Sequence, residues 1–293
     1  MNFPFKRQAG KAGKRFGGFS RLIPLCVLLF LVSILVGFVT GFPTEVLRER
    51  LVQEMSAQTG LAVSSDSLEL GLPAKVEFNL SIDPNHPQVA PLTFTRLQIT
   101  PVWSSLFSSA RAASLQGQFA EGNIDAEVGA DDHLQLEIDG MRLGPLQNPA
   151  NPYRLDGSLK GQIDGQQISR PGKAEASFSA EISGLVAIGL DALSLPANLA
   201  LGTLSVKGKL LGQRVTLEEV LLNGDVAELT GSGTIQLGAT PRQTRLNLRV
   251  AATPGKAFPE SLKPLIELSG LKPKADGSYQ FRVAGTMAAA VVR

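Results

Sequence analysis

Few side chains in this chain could carry out acid–base or metal chemistry. The two histidines are His86, in DPNHPQ, and His133, in ADDHL, and both stand in polar segments typical of turns. Asp131, Asp132 and His133 are ligand types that bind metal ions, but adjacent side chains of one turn seldom converge on one ion. We therefore predict that both histidines are solvated turn residues and that no metal site is present.

The sequence also lacks the short motifs that carry common enzymatic reactions. It contains no G-x-S-x-G, no G-x-x-x-x-G-K-[ST] and no H-E-x-x-H, which carry hydrolase, nucleotide and zinc-peptidase chemistry. Gly231-Ser232-Gly233 is best explained as a turn or bulge in a strand, and Asn79-Leu80-Ser81 matches a glycosylation sequon only formally. We expect a protein that is not an enzyme, with no catalytic residue and no cofactor.

The charge is distributed unevenly along the chain. The first 21 residues contain no acidic residue and six basic ones, Lys6, Arg7, Lys11, Lys14, Arg15 and Arg21. Removing these six from the 28 Lys and Arg leaves 22, against 26 Asp and Glu, so the rest of the chain is slightly acidic. With one Trp and two Tyr as well, this part has neither the basic face nor the stacking side chains that nucleic-acid binding needs.

An uncharged apolar segment follows the basic tail. Residues 22–44, LIPLCVLLFLVSILVGFVTGFPT, are long enough to cross a bilayer as a helix. Because the cations precede it, we predict a cytoplasmic tail over residues 1–21, a transmembrane helix over 22–42 and export of everything after it. The alternative is a signal peptide cleaved near Val39-Thr40-Gly41. Cys26, the only cysteine, lies inside this segment, so no intramolecular disulfide can form.

The exported part begins with a helical pattern and continues with strands. Over residues 43–60 a capping Thr44 and the spacing of Leu47, Leu51 and Met55 predict a membrane-proximal amphipathic helix. From residue 61 to 293 apolar residues mostly alternate with polar ones, and glycine, Asn or Asp clusters separate the runs, as in antiparallel hairpins. We also expect short helices over Pro101–Ala112 and Pro259–Leu268, and a bulge near Arg96.

These strands need something to cover their apolar faces, and the sequence offers almost no helix for that purpose. A closed barrel, a two-sheet sandwich, or a long curled sheet with an apolar concave groove would each solve the problem. The 30 glycines ease sharp curvature and favour the curled sheet. The predicted fold class is therefore mainly β, with a transmembrane helix, a long curled antiparallel sheet and a few short helices.

Three stretches together resemble a known family. They are Phe42-Pro43 leading into the Thr44–Gly60 helix, the Leu68–Leu80 strand pair broken by Pro73, and Leu97-Gln98-Ile99-Thr100-Pro101 leading into Trp103 and Leu106. In this order the chain resembles the type II secretion system protein N family, in the branch with one N-terminal anchor and an AsmA-like periplasmic region. The resemblance implies a non-enzymatic accessory component of protein secretion, single-pass in the bacterial inner membrane, with secretion-system proteins as partners. It supplies no site residue.

The AsmA-like resemblance implies a second function, the binding or transfer of lipid in an apolar groove. The candidate lining residues are Val76, Phe78, Leu80, Leu204, Val206, Leu246 and Leu248. The alternative is that these residues simply pack as core, because alternation is what any half-buried sheet requires. For protein partners the candidate surfaces are the membrane-proximal helix and edge strands near Gly285–Arg293.

Overall fold

A computed structural model describes residues 44–71, 75–84, 89–101, 113–129, 131–170, 172–193, 195–238, 240, 242–262 and 271–292. The chain separates into two units, Met1–Thr44 and Glu45–Arg293. The described residues belong to the second unit, apart from Thr44. Among them no helix is both long and apolar enough to span a membrane, and the predicted transmembrane helix over 22–42 lies outside them.

The predicted helix is present as α1, Thr44–Thr59. It begins at a residue type that caps helices and has Glu45 in its first turn, where a carboxylate favours the positive end of the helix dipole. Gly60 follows the helix with a φ of 68°, and its N–H donates a hydrogen bond to the Ser56 carbonyl at 2.9 Å.

The remainder is almost entirely strand, as the alternation predicted. The strands are β1 Ala62–Ser64, β2 Leu68–Gly71, β3 Lys75–Asp83, β4 Leu92–Pro101, β5 Ala113–Phe119, β6 Gly122–Val128, β7 Leu134–Arg142, β8 Arg154–Gln166, β9 Glu175–Ile188, β10 Asn198–Leu211, β11 Arg214–Asn223, β12 Ala227–Gln236, β13 Arg245–Pro254, β14 Tyr279–Thr286 and β15 Ala289–Val292. Three short 3₁₀ turns, Gly144–Leu146, Leu190–Leu193 and Glu260–Leu262, lie between them.

All fifteen strands form one antiparallel sheet that does not close. From β3 to β15 each strand pairs with the next one in the chain, while β1 and β2 both pair with β3. Of the three predicted architectures the closed barrel is therefore wrong. Of the two predicted short helices, 102–112 lies outside the described residues, and of the second only the turn Glu260–Leu262 is described.

The predicted bulge in β4 is confirmed. Pairing with β5 shifts between Thr95 and Gln98, and Arg96 has a φ of 54°. The Asn79 side chain stabilises this conformation, because its Oδ1 accepts the Arg96 backbone N–H at 2.9 Å and its Nδ2 donates to Ser67 Oγ at 3.2 Å. The sequon asparagine thus lies within β3 and serves to join β4 to the segment before β2.

The most buried part of the sheet lies beneath α1. Val63, Leu68, Phe78, Leu80 and Leu97 form a cluster whose members are at most 9% exposed. Two residues of the predicted helical stripe, Leu47 and Met55, pack against it, whereas the third, Leu51, is 39% exposed. The helix therefore covers the first strands with only part of its predicted apolar stripe.

A candidate hydrophobic binding face

The same face of the sheet is apolar along nearly its whole length. Cross-strand partners point to one side of an antiparallel sheet, so consecutive pairings trace rows of side chains across it. The central row comprises Val76, Ile99, Leu115, Ala126, Leu136, Ile163, Phe178, Gly208, Leu217, Gly233, Leu248 and Val283. At about 4.8 Å between strands, this row extends for about 50 Å.

The burial of apolar side chains on this face changes from the first strands to the later ones. Phe78 and Leu80, beneath α1, are 9% and 6% exposed, whereas Leu136, Phe178, Leu217 and Leu248 farther along the sheet are each only partly buried. Large apolar side chains in a domain interior are usually closed off on all sides. Leu185 and Leu199, at the ends of β9 and β10, are again 5% and 9% exposed. Among the described residues, the apolar side chains that α1 does not cover are therefore those in the middle rows of the later strands.

Glycines in the rows let large neighbours lie flat on the sheet. A Cβ placed on Gly117 would lie 2.6 Å from Leu97 Cδ2, and one on Gly233 would lie 3.0 Å from Leu248 Cδ2. On the same face, the Phe94 and Phe119 rings stack with centroids 4.3 Å apart. Side chains therefore fill the space over the glycines, which leaves the face continuous rather than divided into separate pits.

All seven candidate lining residues lie on this face, in two different settings. Val76, Phe78 and Leu80 belong to β3 and pack in or against the cluster beneath α1, so they act as core. Leu204 and Val206 lie on β10, and Leu246 and Leu248 on β13, in the uncovered part. The term uncovered face is used below for the middle rows of the apolar face from β6 to β15, whose large side chains are only partly buried.

The opposite face is polar and carries cross-strand ion pairs. Lys160 lies 2.9 Å from Asp139, Lys207 lies 3.1 Å from Glu219, and Lys209 lies 2.6 Å from Glu218, each measured from Nζ to a carboxylate oxygen. Asp139 raises the pKa of Lys160 through a hydrogen bond and charge attraction. Surface depressions such as one of about 630 Å³ lined by Glu218, Arg249 and Arg282 also lie on this polar face. They are shallow spaces among solvated side chains, so they do not indicate a site for an apolar ligand.

The residues singled out for chemistry do not converge. His133 Nε2 lies 3.2 Å from Asp164 Oδ1, and Asp132 accepts hydrogen bonds from the Ser169 N–H at 3.0 Å and hydroxyl at 2.6 Å. These hydrogen bonds lower the pKa of Asp132. Ser232 lies within β12, opposite the bulge of β11, and His86 lies outside the described residues. Asp132 and His133 thus fasten turns and strands to one another.

Sequence reasoning missed one surface, at the ends of the hairpins. Leu211 and Leu237, each directly before a Gly, and Met287 in the last turn are 64%, 41% and 63% exposed. The available signal was an apolar residue at a strand end where the alternating pattern calls for a polar turn.

Comparisons with protein-family models, with curated proteins and with solved structures find no match to this chain. The fold by itself defines a class, an open antiparallel sheet with one polar face and one apolar face, of which the described helix covers the first strands.

Proposed function

We propose that this chain is a non-enzymatic accessory component of the type II protein secretion system. In this proposal residues 22–42 hold it in the bacterial inner membrane, residues 1–21 are cytoplasmic, and the sheet is an AsmA-like body in the periplasm. The observation that supports the proposal is that the described parts of the stretches behind the family resemblance pack together. Helix α1, the β2–β3 hairpin and the end of β4 meet in the cluster around Phe78 and Leu97.

The free last strand offers a surface for a protein partner. All four residues of β15 are exposed, and among the strands that the structure describes β15 pairs with β14 alone. An unpaired strand edge presents N–H and C=O groups that can accept a strand from another chain. Val291, 49% exposed, and Val292, 50% exposed, would supply apolar contacts at that edge.

The test combines a gene deletion with two matched variants. We expect deletion to reduce secretion of exoproteins and the full chain to co-purify with secretion components. Val291→Lys should weaken both, because a lysine on an edge strand opposes strand addition. Tyr153→Lys changes a residue of similar exposure, 44%, away from this edge and should leave both intact. Unchanged secretion in the deletion strain, with no secretion component co-purifying, would refute the proposal.

The uncovered face favours a second candidate function, the binding of lipid acyl chains. An apolar surface of this extent is rare on a soluble protein unless it binds something. Its continuity from β6 to β14 suits an extended hydrocarbon, because its described strand side chains are nearly all aliphatic or Phe, with the Tyr279 hydroxyl at one end. In this account the sheet curls around its ligand, as AsmA-like proteins are expected to do.

Photo-crosslinking in cell membranes tests this candidate on the full chain. A photoreactive amino acid at Leu248 should form a lipid adduct detectable by mass spectrometry. The same amino acid at Asn247, the next residue but on the polar face, should form none. Leu204→Glu should reduce the adduct at position 248 because it places a charge on the same face. Equal labelling at positions 247 and 248, or no lipid at either, would refute lipid binding on this face.

A further inference from the structure

From β6 onward, five hairpin connections that the structure describes at least in part lie at one end of the sheet, because every second connection of an antiparallel meander returns to the same side. They join β6 to β7, β8 to β9, β10 to β11, β12 to β13, and β14 to β15, and are called the tip row below. None of the seven candidate lining residues lies in it.

Hydrogen bonds fasten each connection of the tip row to the next. The bonds run from Ser169 N–H to Asp132 Oδ1 at 3.0 Å, from Gly212 N–H to the Ala174 carbonyl at 2.7 Å, from Leu237 N–H to the Gln213 carbonyl at 2.8 Å, and from Met287 N–H to the Thr244 carbonyl at 2.8 Å. Three of the four bonds continue a strand ladder by one residue pair, so neighbouring connections stay side by side. Here they form a single continuous surface.

The tip row exposes large apolar side chains to solvent. Leu211, Leu237 and Met287 project from three neighbouring connections, and two of them are more than 60% exposed. Met287 is followed by Ala288, which adds no polar group to that turn. Exposure of this kind on consecutive tips is unfavourable in water and indicates a surface that becomes covered.

The same part of the tip row is basic. From β8 onward it carries five exposed cations, Arg170, Lys173, Arg214, Arg242 and Arg245, and one exposed carboxylate, Glu175. None of the five cations is in a salt bridge within the described part of the chain. Asp132, in the β6–β7 connection, faces Arg170, so the positive charge is concentrated between β8 and β15.

We propose that the tip row from β8 to β15 lies against an anionic lipid surface. Such a surface is complementary to the tip row in two ways. The cations would lie near the anionic headgroups, and the exposed leucine and methionine side chains would insert at the boundary between headgroups and acyl chains. Contact would place the sheet beside a bilayer at a point remote in sequence from residues 22–42. The proposal does not depend on lipid in the uncovered face, because a different set of residues makes the contact.

The test uses the full chain reconstituted in vesicles, with an environment-sensitive nitrobenzoxadiazole label on a single cysteine. Because Cys26 is the only native cysteine, Cys26→Ser is combined with Leu211→Cys or Met287→Cys. Leu155→Cys is the control, because Leu155 is 44% exposed but lies at the opposite end of the sheet. The vesicles contain either phosphatidylcholine alone or a mixture with phosphatidylglycerol.

Labels at positions 211 and 287 should shift to shorter emission wavelength and be quenched by doxyl-lipids in the phosphatidylglycerol vesicles, and the label at 155 should not. Added Arg242→Gln should lower the ratio of bound to free tips about five-fold, the effect of one cation near an anionic surface. Equal signals at 211 and 155, or equal quenching in both kinds of vesicle, would overturn the proposal. The proposal would also be overturned if an acidic protein partner, but not lipid, shifted the emission of the label at position 211.

Discussion

The boundary between covered and uncovered sheet can be tested by truncating one leucine on each side of it. Leu97 is 5% exposed in the cluster beneath α1, and its side chain lies against Gly117. Leu248 occupies the same face on β13 but is only partly buried. If no part of the chain covers the apolar face at β13, Leu97→Ala should lower the free energy of unfolding much more than Leu248→Ala.

The expected difference follows from burial. Removing a fully buried leucine side chain loses its transfer free energy and leaves a cavity, so Leu97→Ala should lower the free energy of unfolding by about 3 kcal/mol. Leu248 keeps contact with water when folded and leaves no enclosed cavity, so Leu248→Ala should cost about 1 kcal/mol. Leu97→Met, which nearly conserves volume, should cost about 1 kcal/mol as well.

Urea titration followed by circular dichroism measures all three variants against the parent chain. Equal slopes with different midpoints would show that the substitutions act on stability rather than on the surface exposed by unfolding. A loss of about 3 kcal/mol for Leu248→Ala would refute the reasoning. It would mean that another part of the chain buries the face at β13, and the lipid candidate would lose its carrying observation.

Three further predictions concern turns and loops. Ala120 and Glu121 form a two-residue hairpin turn with φ of 47° and 67°, a conformation that Asn and Gly adopt at low cost. The double substitution Ala120→Asn with Glu121→Gly should therefore raise the free energy of unfolding by about 1 kcal/mol in the same urea assay. A lower urea midpoint would contradict this turn geometry. The hydrogen bonds from Ser169 that lower the pKa of Asp132 stabilise the fold above the ordinary aspartate pKa, and the gain is lost as pH falls through the lowered value. Ser169→Ala should therefore return the Asp132 pKa toward its ordinary value in an NMR titration and lower Tm at neutral pH but not in acid, and a Tm difference unchanged with pH would count against it. The Gln147 side chain donates hydrogen bonds to the Leu143 and Leu155 carbonyls and accepts one from the Leu155 N–H. Gln147→Ala should therefore lower the free energy of unfolding by about 1–2 kcal/mol and speed amide hydrogen exchange at Leu155. Unchanged exchange at Leu155 would show that these hydrogen bonds contribute little to stability.

The sequence by itself determined the strands and their order. Alternation with a period of two is imposed by the backbone, and short turns such as the one between Leu211 and Arg214 favour the pairing of consecutive strands. The pairing of both β1 and β2 with β3 does not follow from this rule. Helix α1 and the β4 bulge near Arg96 could be read for the same local reasons, as could the shared face of Leu204 and Leu248. The closed barrel stayed among the expectations because an open and a closed sheet have the same alternation.

Only the tertiary structure decided which parts of the apolar face are covered. Phe78 and Leu248 obey one pattern, yet the first is buried, because Leu47 and Met55 of α1 pack against its cluster, and the second is only partly buried. The tip row is likewise invisible in sequence, since its bonds join residues such as Leu237 and Gln213 that no local pattern relates. Burial and long-range hydrogen bonds depend on which elements meet in space, and a periodic sequence specifies only which side of a strand is ready to meet them.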